Sequence, residues 1–296
     1  FIENNFTTLL NMEYSQRSAR LPKTPEEKDA WKRVIIVLEH CPLATVQGEK
    51  GFELLSEKHR NTHRKRNTDP AEWRPDVVHQ CLLHLMDSPL NRAGQLQVFL
   101  RTKKGVCIAV DPRLRVPRSM RIFEKMMVSL LYKMKVRSTT GYLNLLRIVK
   151  NPMTDHLPPN TQLIRVEKDG DLVDPFTLAG VLGKPSKKAA LRTVGDSTEN
   201  GGGDGVTTQA TASSSSATDS GAFIALQNRK AEGQFAPFAF VIGGMSKGDV
   251  EVDYCPKGQA QSIRLGDRGM SAAAVCSVLV HAFEEKWLEE DNRNAP

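Results

Sequence analysis

Five consecutive apolar residues, Val34-Ile-Ile-Val-Leu38, constrain this chain more than any other stretch. β-Branched side chains are stiff and suit a pleated strand. A half-exposed strand would alternate apolar with polar; this one is apolar on both faces. It therefore predicts a buried strand, central and parallel to its neighbours. Parallel neighbours need crossover connections, which are usually helices. The run thus points to an α/β architecture, and Phe238-Ala-Phe-Val-Ile242 repeats the signal late in the chain.

The remaining elements fit that class. Gln95-Leu-Gln-Val-Phe-Leu100 alternates as a strand, Lys103-Lys-Gly105 turns, and Val106-Cys-Ile-Ala-Val110 returns, which reads as a β-hairpin. Thr161-Gln-Leu-Ile-Arg-Val-Glu167 is a further strand. After Pro75, a good first-turn residue, Val78, Cys81, Leu82 and Leu85 recur at helical spacing. A second helix runs through Met127, Leu130 and Leu131, and residues 142–149 read as another. The last helix starts after Ser271, a candidate N-cap, and runs to Trp287. Residues 1–29 are polar without a period and read as a flexible N-terminal arm. Residues 30–290 read as one domain. Within it, residues 183–234 are rich in Gly, Ser, Thr and Ala and predict a disordered insertion.

Charge narrows the partners. Net charge is +7 and pI about 9.2, favouring a polyanion, nucleic acid before membrane. No apolar run approaches the ~20 residues of a membrane span. Five cysteines without a C-x-x-C suit a reducing compartment and argue against a cysteine zinc site. His59 and His63 are spaced i, i+4 but lack a third ligand nearby, so no metal is expected. Lys58-His-Arg-Asn-Thr-His-Arg-Lys-Arg66 contains no acid; phosphate contact, a solvated loop and a nuclear-localisation-like patch all fit. Arg113, Arg115, Arg118 and Arg121 crowd nine residues before an apolar helix. Guanidinium forks grip phosphate oxygens, although ion pairs with distant acids would also satisfy them.

Two stretches suggest sites. Residues 74–94 open with an Arg–Asp pair across a proline, Arg74-Pro-Asp76, and close in a polar turn, Asp87-Ser-Pro-Leu-Asn-Arg-Ala-Gly94. Late in the chain, Gly243-Gly-Met-Ser-Lys-Gly248 and Leu265-Gly-Asp-Arg-Gly-Met270 are glycine turns that each follow a strand. If those strands are neighbours, the turns face each other where open α/β sheets bind ligands. Neither turn is a P-loop or a G-x-G-x-x-G fingerprint. The small-ligand pocket is therefore expected at the late turns, and residues 74–94 are read as the wall of a substrate site. The closing turn, residues 87–94, receives no chemistry from its residues.

Arg74-Pro-Asp76, Asp87-Ser-Pro-Leu-Asn-Arg-Ala-Gly94, Arg115-Val-Pro-Arg118, Lys150-Asn-Pro152 with Asp155-His156, and Met270-Ser-Ala-Ala-Ala-Val-Cys276 occur in the order of one family. Over about residues 33–167 and 238–287 the chain resembles the small-subunit rRNA pseudouridine N1-methyltransferases of the SPOUT class. The resemblance implies a mostly parallel α/β sheet with a C-terminal trefoil knot, which fold rules alone would not propose, and a family-specific hairpin insertion. It implies S-adenosylmethionine as cofactor, small-subunit rRNA as substrate, a homodimer, ribosome assembly factors as partners, and a nuclear, nucleolar location. It implies that Arg74 contacts the target nucleotide and Asp76 holds Arg74. Arg115 and Arg118 match RNA-contacting arginines. The family's third arginine falls on Ile122, and Arg121 stands one place earlier. Val166, Gly243, Gly248 and Leu265, Gly266, Asp267, Arg268, Gly269 and Met270 match cofactor positions, with Arg268-Gly269 where the family has Tyr-Pro. A non-catalytic rRNA-binding assembly factor on the same fold is the alternative.

Overall fold

The structure is a computed structural model that describes residues 21–49, 51–139, 141–182, 235–250, 252–255 and 260–289. Most of the arm (residues 1–20) and the expected insertion (183–234) lie outside the described residues. The end of the arm is a short helix, α1 (Pro25–Asp29). Thr24 caps it: its Oγ1 accepts from Glu27 N at 3.2 Å, and Glu27 Oε2 accepts from Thr24 N at 3.3 Å. This reciprocal pair is legible as Thr24-Pro-Glu-Glu27 and corrects the expectation of an unstructured arm to residue 29.

The run at residue 34 becomes β1 (Val34–Cys41), followed by a small antiparallel hairpin of β2 (Thr45–Gly48) and β3 (Gly51–Leu54). Helices α2 (Arg60–Arg66), α3 (Pro75–Asp87) and α4 (Pro89–Arg92) lead into β4 (Leu96–Thr102) and β5 (Cys107–Val110). Helix α5 (Met120–Lys133) precedes β6 (Lys135–Arg137), β7 (Asn144–Val149) and β8 (Gln162–Leu172). Then come α6 (Pro175–Val181), β9 (Phe238–Gly243), β10 (Gln261–Arg264) and α7 (Ala272–Phe283).

Eight strands form one sheet in the order β10-β8-β9-β1-β4-β5-β7-β6. The first five are mutually parallel; β5, β7 and β6 add on antiparallel. β1 is central as expected, with Ile36 opposite Val98 on one side and Phe240 on the other. The 95–110 hairpin is also observed, as β4 and β5 within this sheet.

Residues 142–149 are not a helix but contain strand β7. Leu143, Leu145, Leu146, Ile148 and Val149 form too short an apolar run for period to decide. What decides is an available backbone edge: Ile108 pairs with Ile148, and Val110 with Leu146.

The main core lies on one face of the sheet, where α3, α5, α6 and α7 pack. Val78, Cys81, Leu82 and Leu85 of α3 are fully buried there, and burial of Val78, Leu82 and Leu85 contributes about 1.5–3 kcal/mol each. Ser271 caps α7, its Oγ accepting from Ala274 N at 3.2 Å. The opposite face carries a smaller core of Ile35, Val37, Phe99, Cys107, Met153 and Ala239, covered partly by Leu157 and Tyr254. Cys41, Cys81 and Cys276 interact in the interior, where burial pushes the Cys41 thiol up. Buried thiols in such surroundings are inert packing groups.

Candidate functional site

Arg74 immediately precedes α3, and Asp76 lies in its first turn. The guanidinium grips the carboxylate by two bonds, Nε to Oδ1 at 2.9 Å and Nη2 to Oδ2 at 2.6 Å. Both side chains are half-exposed. The Arg74 hydrogen bond holds the Asp76 carboxyl below its ordinary range, against the cost of partial burial. Asp76 in turn raises Arg74. A carboxylate so held is a weak base, so its part here is to fix the fork of Arg74.

Residues 75–94 carry the arginine loop on their other side. His79 is buried against Phe123, and its Nε2–H donates to Pro117 O at 2.6 Å. Asn91 Nδ2 donates to Met86 O and to Pro112 O, both at 2.9 Å. Asp87 pairs with Arg118. Three attachments therefore bolt residues 112–118 onto α3 and α4. The closing turn of residues 87–94, which sequence left without chemistry, is the bracket that positions the loop. Ser88 starts α4 by accepting from Asn91 N at 3.1 Å.

Not every arginine in that loop is offered to a ligand. Arg113 is held by Asp111, Nε to Oδ1 at 2.8 Å and Nη2 to Oδ2 at 2.7 Å. Ion pairing, the other reading that sequence allowed, holds for Arg113 and for Arg118. Arg118 nevertheless remains three-quarters exposed. Arg121 is exposed and makes no ion pair among the described residues.

The two late glycine turns are not on neighbouring strands, which corrects the condition on which they would face each other directly. β8 runs between β9 and β10. Because the three strands are parallel, both turns still leave the same sheet edge, with Val166 of β8 opposite Ile242 between them. Gly244 is fixed by packing: a Cβ there would stand 2.8 Å from Cys41 Sγ and 3.3 Å from Glu39 O. Its N–H donates to Glu39 O at 2.7 Å. Gly248 has φ 99°, a left-handed conformation that favours glycine. The second turn, Leu265 to Met270, is tied by Arg264, whose Nη1 donates to Gly266 O at 3.3 Å, while Asp267, Arg268, Gly269 and Met270 are exposed. Backbone-rich turns at a parallel-strand edge could hold a nucleoside-type cofactor.

Buried charges that sequence reasoning did not single out secure the first turn. Glu39, at the end of β1, is 1 % exposed, and burial pushes its carboxyl up. Tyr254 donates its hydroxyl to Glu39, and Arg101 lies 3.6 Å away. Arg165 of β8 is fully buried, paired with Glu167 and donating to Val250 O. The chain after the first turn is thus clamped to the sheet at Val250 and at Tyr254. Charges inside otherwise apolar strands were the available signal, since such groups persist only when paired.

The turn also meets the Arg74 segment. Ser246 Oγ donates to Ala71 O at 2.7 Å, and Ala71 sits in a helical turn (Pro70–Glu72) just before Arg74. The geometry therefore joins the first glycine turn to the Arg74–Asp76 pair, while α3 and α4 join that pair to the arginine loop. The histidine pair separates into structural roles. His63 is buried, with Nδ1 2.9 Å from Thr68 Oγ1 and Nε2 2.9 Å from Ser56 O, and the basic block around it is helical rather than a loop.

Comparison with known proteins agrees over most of the chain. The family model described as EMG1/NEP1 methyltransferase matches residues 36–284. The ribosomal RNA small subunit methyltransferase nep-1 of Caenorhabditis elegans is 32% identical over 271 residues, covering 91% of this chain and 94% of that protein. The human ribosomal RNA small subunit methyltransferase NEP1 is 34% identical over 271 residues, covering 90% and 88%. A crystal structure of Archaeoglobus fulgidus Nep1 bound to S-adenosylhomocysteine shares the fold, with a TM-score of 0.53 and 17% identity over 86% of this chain and 98% of that one.

Proposed function

The chain belongs to the EMG1/NEP1 methyltransferase family, and from that membership we propose that it methylates N1 of a pseudouridine in small-subunit rRNA, using S-adenosylmethionine. The observation that carries the proposal is the bidentate Arg74–Asp76 pair, docked through Ala71 and Ser246 beside the first glycine turn.

N1 of pseudouridine bears a proton, which passes to solvent water and leaves the nitrogen able to attack. Negative charge then develops on the base, and a fixed cation nearby lowers the barrier. Asp76 occupies Nε and Nη2 of Arg74, which leaves Nη1 for the base. The base must be splayed from its loop to reach this point. Arg115 and Arg118, on the bracketed loop, hold the flanking phosphates. Val166, Gly243, Gly248 and residues 265–270 would hold the cofactor, which would supply the electrophilic methyl group.

The test is methyl transfer to a stem-loop RNA with pseudouridine in the loop, beside a uridine version. Mass spectrometry should show one added methyl on the first RNA only. Equal transfer to both would move the acceptor to another atom.

Ile122 in place of the family's third arginine, and Arg268-Gly269 in place of Tyr-Pro, favour a second reading as a non-catalytic assembly factor. Calorimetry with S-adenosylhomocysteine separates the two, because a scaffold has no need to bind it. With the family reading come a trefoil knot around the late turns, a homodimer, ribosome assembly factors as partners and a nucleolar location. A crystal structure, sedimentation equilibrium, co-purification with pre-ribosomal particles and fluorescence microscopy test these in turn.

A further inference from the structure

Helix α5 starts at the arginine loop and presents a stripe to solvent. Arg121, Lys125 and Tyr132 stand at i, i+4 and i+11, which places them on one face. Arg121 and Lys125 are exposed and make no ion pair among the described residues. Tyr132 is 74% exposed and stacks on Phe52 of β3, which is 58% exposed; the ring centroids are 6.3 Å apart and the planes 30° apart. After β3 the chain enters α2, whose Arg60, Arg64, Lys65 and Arg66 are exposed and likewise make no ion pair among the described residues. Of the nearby acids, Glu53 and Glu124 are occupied, 3.1 and 3.9 Å from Lys58, while Glu57, exposed between β3 and α2, makes no ion pair among the described residues.

Two large aromatic rings stacked in the open leave apolar surface uncovered. A protein interface would surround such rings with further apolar surface and few charges. Met134, 55% exposed, adds some apolar surface here, but the charges that share the α5 face are the unpaired cations Arg121 and Lys125. Charge for the backbone and ring faces for the bases are the combination by which proteins hold single-stranded nucleic acid. The spacing also fits, since Arg121 and Tyr132 are about 16 Å apart along the helix at its standard rise, a few nucleotides of strand.

We propose that this face is a second RNA contact. The substrate strand leaves the arginine loop, runs along Arg121 and Lys125, and stacks an unpaired base flanking the target on the Phe52–Tyr132 platform. The inference rests on the reading of the chain as an RNA methyltransferase and extends it from the target nucleotide to the neighbouring strand.

The experiment uses the full chain and a fluorescein-labelled pseudouridine stem-loop with single-stranded flanks, titrated by anisotropy at several salt concentrations. The Phe52→Ala/Tyr132→Ala double variant should weaken binding about tenfold or more. Its salt slope, melting temperature and S-adenosylhomocysteine affinity should stay at wild-type values. Phe52→Trp/Tyr132→Phe should restore binding, because stacking needs only a ring. Lys125→Gln should reduce the salt slope by about one, the signature of a lost phosphate contact. Unchanged RNA affinity in the alanine variant overturns the proposal, and so does altered self-association with RNA binding intact, which would assign the rings to a protein surface. Methyl transfer is scored separately. Wild-type binding without transfer would refute the reaction and leave the platform standing; transfer with undiminished affinity in the alanine variant would do the reverse.

Discussion

Arg74 and Asp76 are separated by one proline, and that closeness is what makes their grip local and firm. Removing Arg74 takes away the cation placed for the developing charge without touching the glycine turns. Arg74→Ala should lower single-turnover methyl transfer by about 10²–10³-fold and leave S-adenosylhomocysteine affinity within about twofold. Rapid-quench kinetics and calorimetry check both halves; wild-type turnover would remove Arg74 from the mechanism. The pH dependence follows from the Asp76 shift. Its folded pKa lies below the unfolded value of about 3.9. Its stabilising contribution is therefore complete above that value and is lost as pH falls through the folded pKa. Between about pH 5 and 9, above that range, Asp76 stays ionised. Asp76→Asn should lower the kcat/KM plateau without changing the profile's shape. An acid limb present in wild type and absent from the variant would make Asp76 a proton acceptor after all. The Arg-Pro-Asp motif was legible because all its partners lie within three residues.

At the scale of elements, the first glycine turn depends on what holds the chain behind it. Tyr254 and Val250 are pinned to β1 and β8 by Glu39 and Arg165. Tyr254→Phe leaves one buried Glu39 oxygen without its donor, a change worth about 1–3 kcal/mol. Urea unfolding should show that loss. Because the same segment follows residues 243–248, calorimetry should show weaker S-adenosylhomocysteine binding as well; stability and affinity both at wild-type values would leave the clamp without function. The sequence shows the buried charge in its apolar strand but not the partner, since Glu39 and Tyr254 are 215 positions apart. The bracket around the arginine loop was hidden for the same reason: Asp87 meets Arg118 from 31 positions away. Strand β7 shows the opposite limit, a local pattern too short to choose its own conformation.

For the molecule as a whole, the cations that remain unpaired after folding set the affinity for a polyanion. Net charge does not give that number: an internal pair such as Arg113–Asp111 or Arg165–Glu167 removes one cation and one acid and leaves the +7 unchanged, so what counts is the exposed cations without an acid partner. Even two or three phosphate contacts release enough counterions for RNA affinity to fall about tenfold between roughly 50 and 200 mM salt. A flat anisotropy titration over that range would show that charge is not how this protein holds RNA. The sheet arranges the rest. Five parallel strands put their C-terminal ends on one edge, and the two late turns and the Arg74 segment gather there.

By itself, the sequence determined the local elements: the apolar runs at residues 34 and 238, the helical stripe from Val78, the Ser271 cap and the Arg-Pro-Asp pair. Each rests on period, capping or short-range bonding among residues a few positions apart. Tertiary structure alone decided that β8 separates the two late turns, that residues 87–94 brace the arginine loop, and that Glu39 and Arg165 clamp the first turn. Those outcomes depend on which strands become neighbours, and that is set by burial and backbone pairing between residues tens to hundreds of positions apart.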